Sequence, residues 1–152
     1  MHELFWEYLQ WLKERINDEL EVSIDFKTIF EQDMLKLEKF SPPDGRLLLA
    51  EYEGQIAGLA CMKKIREDIG EIKRMYVRPK FRGKRIGRTL LDSLIVESRA
   101  IGYARMRLVS VRFMTEAHSL YRSAGFHKID PYPESEVPAD FHPNMIFMEK
   151  KL

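Results

Sequence analysis

The chain has 152 residues, 45% of them hydrophobic and 32% charged, which is the size and composition of one ordinary globular domain over residues 1–152. A formal net charge of +1 gives no support to general nucleic-acid binding, and the single cysteine, Cys61, excludes an intramolecular disulfide. No apolar stretch approaches the roughly 18 residues that would span a bilayer, and charges among the first 20 residues argue against a signal peptide, so we expect a cytoplasmic protein that does not enter membranes.

Two helices are predicted at the start of the chain. From Phe5 onwards, hydrophobic residues recur at i, i+4, i+7 and i+11, the period of one helical face, which predicts a first helix over residues 3–20. A second, shorter helix is predicted over residues 26–37, because the Ser-Pro-Pro-Asp-Gly stretch at residues 41–45 then breaks the chain.

Three strands are predicted next. Apolar runs at Arg46–Tyr52 and residues 55–64 are separated by a Glu-Gly turn, and so short a connection predicts an antiparallel hairpin. Another turn leads into a third strand over residues 71–77. This strand ends before Pro79, because proline cannot donate to a strand ladder.

The hydrophobic period becomes helical again from Arg85, and Gly102 marks the end of this third helix. A short strand at Arg105–Val111 follows, so strand, helix and strand form a predicted parallel crossover unit. The remaining elements are a fourth helix capped by Thr115 and two last strands, over residues 115–124, 126–129 and 145–150. The order α-α-β-β-β-α-β-α-β-β predicts one mixed α/β layer domain.

A cluster of basic residues precedes the third helix. Six Lys or Arg residues and no acid lie between Arg78 and Arg88, interrupted by Gly83 and Gly87. The N-terminus of a helix offers unpaired N–H groups and a positive dipole end, and glycine lets the backbone approach phosphate oxygens. The pattern predicts a pyrophosphate-binding loop, with a solvated basic loop as the alternative.

The run at residues 71–91 resembles motif A of the GNAT N-acetyltransferase superfamily, which is usually written Q/R-x-x-G-x-G/A. Arg82 fills the first position of the motif and Gly87 the last, and Arg85 stands where the first glycine is expected. If that position requires a positive φ, Arg85 carries backbone strain.

A second stretch, A-H-S-L-Y-R-S-A-G-F at residues 117–126, is similar to the A-x-x-L-Y-x-x-x-G-F signature of the same family. The resemblance covers residues 46–150 and implies an α/β acyl-CoA N-acyltransferase fold, with a central mixed, mostly antiparallel sheet flanked by helices. It also implies an acetyl-CoA-dependent N-acetyltransferase. No His, Cys or carboxylate cluster in the sequence has metal-ligand spacing, so we expect no metal. Family members commonly begin with a β-strand, and we expect that N-terminal strand to be missing here because the helical pattern starts almost at once.

The resemblance also implies which residues bind acetyl-CoA. In this family, the backbone of the strand before the loop pairs with the pantetheine arm, here at Met75, Tyr76 and Val77. The loop and the start of the helix hold the pyrophosphate, here at Arg82, Gly83, Lys84, Arg85, Ile86, Gly87 and Arg88.

Acetyl transfer to an amine requires a base for the ammonium proton and an acid for the departing thiolate. Tyr121 matches the family position that often supplies the acid, with a packed core aromatic as the alternative. Glu71 stands where several family members have a general base, acting directly or through a water, and the alternative is a solvated carboxylate at a strand end. Simple alternation puts Glu71 on the same face as Lys73, Met75 and Val77, unless a bulge changes the parity.

The connection between the last two strands is acidic, and we interpret it as a patch that attracts a cationic small-molecule or peptide amine. A solvated acidic loop is the alternative. Its acids are Asp130, Glu134, Glu136 and Asp140.

The missing N-terminal strand would leave Arg46–Tyr52 at an exposed sheet edge. A partner subunit, making a homodimer, or an N-terminal segment is expected to cover that edge. Two other functions stay open. One is an acyl-CoA-binding sensor without catalysis, and the weaker one is a nucleic-acid-binding domain that uses the basic loop.

Overall fold

The chain forms two units, Met1–Lys39 and Phe40–Leu152, in the computed structural model, which describes residues 1–20 and 25–152. The sheet and the candidate site belong to the second unit. Within the described part of the chain, no helix is both long enough and apolar enough to cross a bilayer.

The first unit contains helices α1 (His2–Leu20) and α2 (Phe26–Leu35), which contact each other. The predicted apolar face of α1 is confirmed, since Phe5, Leu9 and Ile16 are buried. The second helix is two residues shorter than predicted, because the cap after it is followed by a 3-10 turn. The aromatic residues of α1 contact other rings of the same unit, with Trp6 5.1 Å from Phe30 between ring centroids.

The sheet of the second unit has six strands among the described residues, in the order β1-β2-β3-β4-β6-β5. The strands are β1 (Arg46–Tyr52), β2 (Gln55–Arg66), β3 (Ile69–Val77), β4 (Arg105–Val111), β5 (His127–Ile129) and β6 (Met145–Lys151). The parallel pair is β3 with β4, and the other neighbours are antiparallel. The predicted mixed, mostly antiparallel sheet is therefore confirmed, with β1 at an edge and no strand before α1 in the described residues.

Two helices accompany the sheet, α3 (Ile86–Ile101) and α4 (Thr115–Ser123). The predicted element order is confirmed, and the predicted ends lie within two residues of the observed ones. The prediction that Thr115 caps α4 is wrong. The amide of His118 donates to the carbonyl of Met114, so helical hydrogen bonding already begins at Met114, which occupies the N-cap position.

A hydrophobic core fills the face of the sheet that carries α3. Ile72 of β3, Leu108 of β4 and Met148 of β6 contribute to it from the strands, and Leu91 and Leu94 contribute from α3. Hence alternate residues of the central strands face α3, and the residues between them face the opposite side of the sheet.

A β-bulge in β3 changes that alternation. Ala60 of β2 pairs with Met75 and Met62 pairs with Ile72, so β3 has one more residue than β2 between these pairs. Met75 therefore returns to the core face with Ile72, and Val77 also packs against the core. Simple alternation, which put Met75 and Val77 on the face of Glu71, is wrong because of this extra residue.

Candidate active site

The parallel strands β3 and β4 separate halfway along their length. Residues 69–72 of β3 pair with residues 105–108 of β4. β3 continues to Val77 and β4 to Val111, yet within the described chain their register contains no pair between these later residues. The separation opens the centre of the sheet beside Met75, Tyr76 and Val77, the residues predicted to pair with the pantetheine arm.

The basic loop ends in a strained backbone conformation. Arg85 precedes α3 with φ 63° and ψ 20°, and Gly83 also has a positive φ of 79°. The motif position that usually holds glycine thus adopts the left-handed region here, so Arg85 carries the backbone strain that was expected if this position needs a positive φ. For an arginine this conformation costs roughly 1–2 kcal/mol relative to the right-handed region.

The N-terminus of α3 presents unused amides. The first helical hydrogen bond runs from the Thr89 amide to the Arg85 carbonyl at 3.1 Å, and no side chain among the described residues caps the helix. The amides of Ile86, Gly87 and Arg88 precede that bond, so helix geometry provides them with no acceptor. Such a helix start is suited to a phosphate group.

The basic residues of the loop before α3 contribute positive charge. The Arg82 amide closes a turn by donating to the Pro79 carbonyl at 3.2 Å, and its side chain donates to the Val77 carbonyl at 3.0 Å. Arg82, Lys84 and Arg85 are all exposed. The loop therefore offers a basic surface next to the end of β3.

Gly87 lies where the loop, β3 and α4 meet. A Cβ atom on Gly87 would stand 3.5 Å from a Leu120 methyl carbon and 3.8 Å from the terminal methyl carbon of Met75. The first motif, the second motif and the strand between them therefore converge in space. On the same side, the Nη1 atom of Arg88 donates to the Ser123 hydroxyl at 3.0 Å, which ties α3 to α4.

Tyr121 points from α4 towards β3. Its hydroxyl oxygen lies 3.9 Å from the Met75 sulfur, and its ring stands 5.9 Å from the Phe126 ring between centroids. The side chain is 8% exposed and belongs to the core cluster. The ring of Tyr121 is therefore packed in the core, as the alternative interpretation expected. Its hydroxyl also reaches β3, the strand predicted to bind the pantetheine arm.

Glu71 is fully buried, at 0% exposed, so the alternative of a solvated strand-end carboxylate is wrong. Its Oε2 atom accepts a hydrogen bond from the Tyr132 hydroxyl at 2.7 Å, and its Oε1 atom lies 3.4 Å from the Lys73 Nζ. Burial lowers the pKa of Lys73, and the negative charge of Glu71 opposes that shift. Burial also raises the pKa of Tyr132, as do the charge and hydrogen bond of Glu71, so Tyr132 stays protonated and donates.

A row of alternating charges crosses the sheet at the level of Glu71. Lys63 of β2, Glu71, Arg107 of β4 and Glu149 of β6 are register neighbours, so their side chains share the face opposite α3. The Nε atom of Arg107 donates to Glu149 at 2.8 Å. The Arg107 guanidinium also stands 4.9 Å from the centre of the Tyr132 ring.

The acidic connection between β5 and β6 is partly neutralised. Glu134 forms an ion pair and a hydrogen bond with Arg66, which lower the pKa of Glu134, and Glu136 lies 3.9 Å from the Lys63 Nζ. The exposed acids Asp130 and Asp140 keep the patch negative at its margin. These ion pairs therefore offset part of the negative charge of the predicted patch for a cationic amine, most of it at Glu134. In the described residues, no group of three or more His, Cys, Asp or Glu could hold a metal ion.

Sequence reasoning did not single out Tyr132 as a partner of Glu71. The two residues are separated by 61 positions and meet only when the β5–β6 connection folds over the sheet. No local spacing in the sequence indicates such a contact. The presence of an aromatic residue in an acidic loop was the one sequence signal for Tyr132.

Comparison with known proteins identifies the family. The acetyltransferase (GNAT) family model matches residues 1–126. The IAA acetyltransferase of Azospirillum brasilense is 35% identical over 120 residues, which cover 78% of this chain and 76% of that protein. An uncharacterised N-acetyltransferase of Schizosaccharomyces pombe is 30% identical over 151 residues, covering 96% of this chain and 83% of that protein.

Solved structures share the fold. The PaiA N-acetyltransferase of Thermoplasma acidophilum, in complex with coenzyme A, superposes with a TM-score of 0.74 at 22% identity, covering 99% of this chain and 90% of that chain. A GNAT-family acetyltransferase of Staphylococcus aureus Mu50 gives a TM-score of 0.77 at 20% identity, with 99% and 92% covered. The chain therefore belongs to the GNAT family and is an acetyl-CoA-dependent N-acetyltransferase.

Proposed function

We propose that residues 1–152 act as a single domain that moves the acetyl group of acetyl-CoA to a primary amine by direct attack, with Glu71 as the general base and Tyr121 as the general acid. One observation carries this assignment. Glu71 lies on one face of the sheet and Tyr121 reaches Met75 on the other, while β3 and β4 separate after Ile72, between Glu71 and Met75. A thioester held in that gap would have a base on one side and an acid on the other.

The residues around the gap fit coenzyme A. The backbone of Met75, Tyr76 and Val77 runs along the separated half of β3, where an extended pantetheine arm can add like a strand. The amides at the start of α3 suit the pyrophosphate, together with the rest of the loop, namely Arg82, Gly83, Lys84, Arg85, Ile86, Gly87 and Arg88. When bound, acetyl-CoA supplies an activated acyl group.

Tyr121 would supply the proton that the departing sulfur requires. As the nitrogen–carbon bond forms and the carbon–sulfur bond breaks, the hydroxyl proton passes to the thiolate. The 3.9 Å distance from this hydroxyl to the Met75 sulfur supports the assignment, because Met75 belongs to the strand that would hold the pantetheine arm.

Glu71 would take the proton that the acceptor ammonium must lose. Since Glu71 is 0% exposed, we favour transfer through a water molecule over direct contact between the carboxylate and the amine. The acceptor is a small-molecule or peptide amine, and it would approach from the face of the sheet that carries the row of alternating charges.

Two measurements test this function. Thiol release from acetyl-CoA, followed against a panel of amines, polyamines, aminoglycosides and peptides, should identify an acceptor. Glu71→Gln should lower kcat with that acceptor by about 100-fold, as expected for loss of a general base.

Thermal denaturation tests cofactor binding separately, because a ligand bound by the native state raises the melting temperature. Absence of a shift with excess acetyl-CoA would contradict the binding loop, whatever the acceptor.

We also propose that a second copy of the chain covers the β1 edge. β1 has β2 as its neighbour in the described sheet, and its Leu49 side chain is 43% exposed. An edge strand of this kind presents backbone groups that pair readily with another strand. Size-exclusion chromatography with light scattering should give the mass of a dimer, and a monomer at high concentration would contradict this assembly.

A further inference from the structure

We propose that Tyr132 is a positioning residue for the acetyl-transfer reaction, which fixes one oxygen of the Glu71 carboxylate so that the other oxygen accepts the proton. The inference rests on the proposed role of Glu71 as the base. It concerns a residue that lies on the connection between β5 and β6, outside both family motifs.

The two oxygens of Glu71 have different surroundings. Oε2 accepts the hydroxyl hydrogen bond of Tyr132 at 2.7 Å. Oε1 is buried and accepts no hydrogen bond from the described residues, although the Lys73 ammonium stands 3.4 Å away. The ion pair with Lys73 compensates the charge on Oε1 without a well-aligned hydrogen bond, so Oε1 is the oxygen on which a base would receive a proton.

The ring of Tyr132 is held independently of its hydroxyl. Its face meets the Arg107 guanidinium at 4.9 Å, and the ring forms a T-shaped pair with Phe147, with centroids 5.6 Å apart and planes at 82°. Arg107 is itself fixed by Glu149 at 2.8 Å. Removing the hydroxyl would therefore leave the ring in position and change mainly the hydrogen bond to Glu71.

Charged groups face this carboxylate from every strand beside it. Lys63 lies on β2, Lys73 on β3 and Arg107 on β4. Two further acids form ion pairs nearby, Glu134 with Arg66 and Glu149 with Arg107. The nearest three are basic, so positive charge surrounds the buried carboxylate. None of these three donates a hydrogen bond to Oε2, so the orientation of the carboxylate depends on Tyr132.

Tyr132→Phe tests the inference, and Tyr103→Phe is its matched control. The Tyr103 hydroxyl also donates one 2.7 Å hydrogen bond, to the Asp44 carbonyl, and both tyrosines are 5% exposed. Both variants lose one hydrogen bond of the same length, which is buried at Tyr132 and partly buried at Tyr103, and only Tyr132→Phe loses a bond to Glu71. We expect kcat to fall about tenfold in Tyr132→Phe, as for a charge-assisted hydrogen bond. The KM for acetyl-CoA should stay within about twofold, and Tyr103→Phe should keep the original kcat.

A double-mutant cycle with Glu71→Gln distinguishes failure of the positioning role of Tyr132 from failure of the base assignment of Glu71. If Tyr132 acts through Glu71, Tyr132→Phe has no further effect on kcat in the Glu71→Gln background. Independent, multiplying effects would overturn the positioning role, and so would equal kcat values for Tyr132→Phe and Tyr103→Phe. An unchanged kcat in Glu71→Gln alone would overturn the base assignment itself.

The split between kcat and KM gives a readout that a purely structural residue would not move. Tyr132→Phe should lower kcat without raising the KM for acetyl-CoA, because the change falls on proton transfer and not on cofactor binding. Acetyl-CoA-induced thermal shifts in both variants establish that each is folded at the assay temperature. A rise in that KM as large as the fall in kcat, in folded Tyr132→Phe, would count against the proposal.

Discussion

Glu71 and Met75 lie four residues apart on β3 and face opposite sides of the sheet, because the extra residue of a bulge comes between them. Glu71 points to the face with Tyr132, and Met75 points to the face with Tyr121. The bulge lies where β3 departs from β4. One irregularity therefore accounts for the opposed directions of Glu71 and of Met75, the residue that the Tyr121 hydroxyl reaches.

Tyr121→Phe should remove the proton donor and retain the packing of the ring against Phe126. We expect kcat to fall about 100-fold, the usual contribution of a positioned acid. Thiol release with the identified acceptor measures it. The acetyl-CoA thermal shift should persist, since the hydroxyl is not assigned to cofactor binding, and turnover equal to that of the original protein would remove the acid assignment.

Arg85→Gly should relieve the left-handed backbone before α3. Arg85→Ala is the matched control, because it loses the same charge and keeps a Cβ atom at φ 63°. Glycine should be more stable than alanine here by about 1 kcal/mol, or about 2–4 °C in melting temperature for a chain of this length. Thermal denaturation without ligand gives the answer, and equal melting temperatures would mean that no strain is stored.

Arg88→Gln should weaken acetyl-CoA binding, because Arg88 lies in the first turn of α3 and its charge would lie beside the pyrophosphate. We expect about a tenfold rise in the KM for acetyl-CoA, as for one charge-assisted bond. Arg99→Gln removes an exposed charge from the last turn of the same helix and should leave the KM unchanged. Equal KM values for the two variants would contradict the position of the pyrophosphate.

His118 should make the stability of the protein sensitive to mild acid. It is 2% exposed, its Nε2 atom lies 2.9 Å from the Ser110 hydroxyl oxygen, and burial, with the nearby charge of Arg122, lowers its pKa below the usual 6.5. The unfolded chain then binds more protons than the folded one as pH falls below 6.5 and through the folded pKa. The free energy of unfolding is therefore highest above that window and declines as pH falls through it.

Urea unfolding at several pH values measures this effect. The slope contributed by His118 should not exceed about 1.4 kcal/mol per pH unit, the limit for one proton. His118→Gln should remove that contribution, and replacing the exposed His127 by glutamine should not. A slope unchanged in His118→Gln would show that other groups titrate instead.

The order of elements could be predicted from the sequence because hydrophobic periodicity and turn residues are local signals. Arg46–Tyr52 and Arg105–Val111 were predicted with the observed ends, since apolar runs bounded by Gly, Pro and charged residues mark a strand directly. The family could be assigned for a related reason. Members of this family hold the pyrophosphate with backbone amides at the start of a helix. Such a contact requires a short motif, which is recognisable in this sequence around Arg82 and Gly87.

The surroundings of the candidate site were decided by tertiary structure. The contact between Glu71 and Tyr132 and the ion pair of Glu134 with Arg66 each join residues far apart in sequence. The direction of the Met75 side chain depends on one extra residue in the ladder between β2 and β3. The sequence alone determined that a basic, glycine-containing loop predicted to bind pyrophosphate, a strand before it and a tyrosine after it belong to one chain. Only the fold decided that the strand bends at a bulge, because strand register is set by partners that lie outside the local sequence.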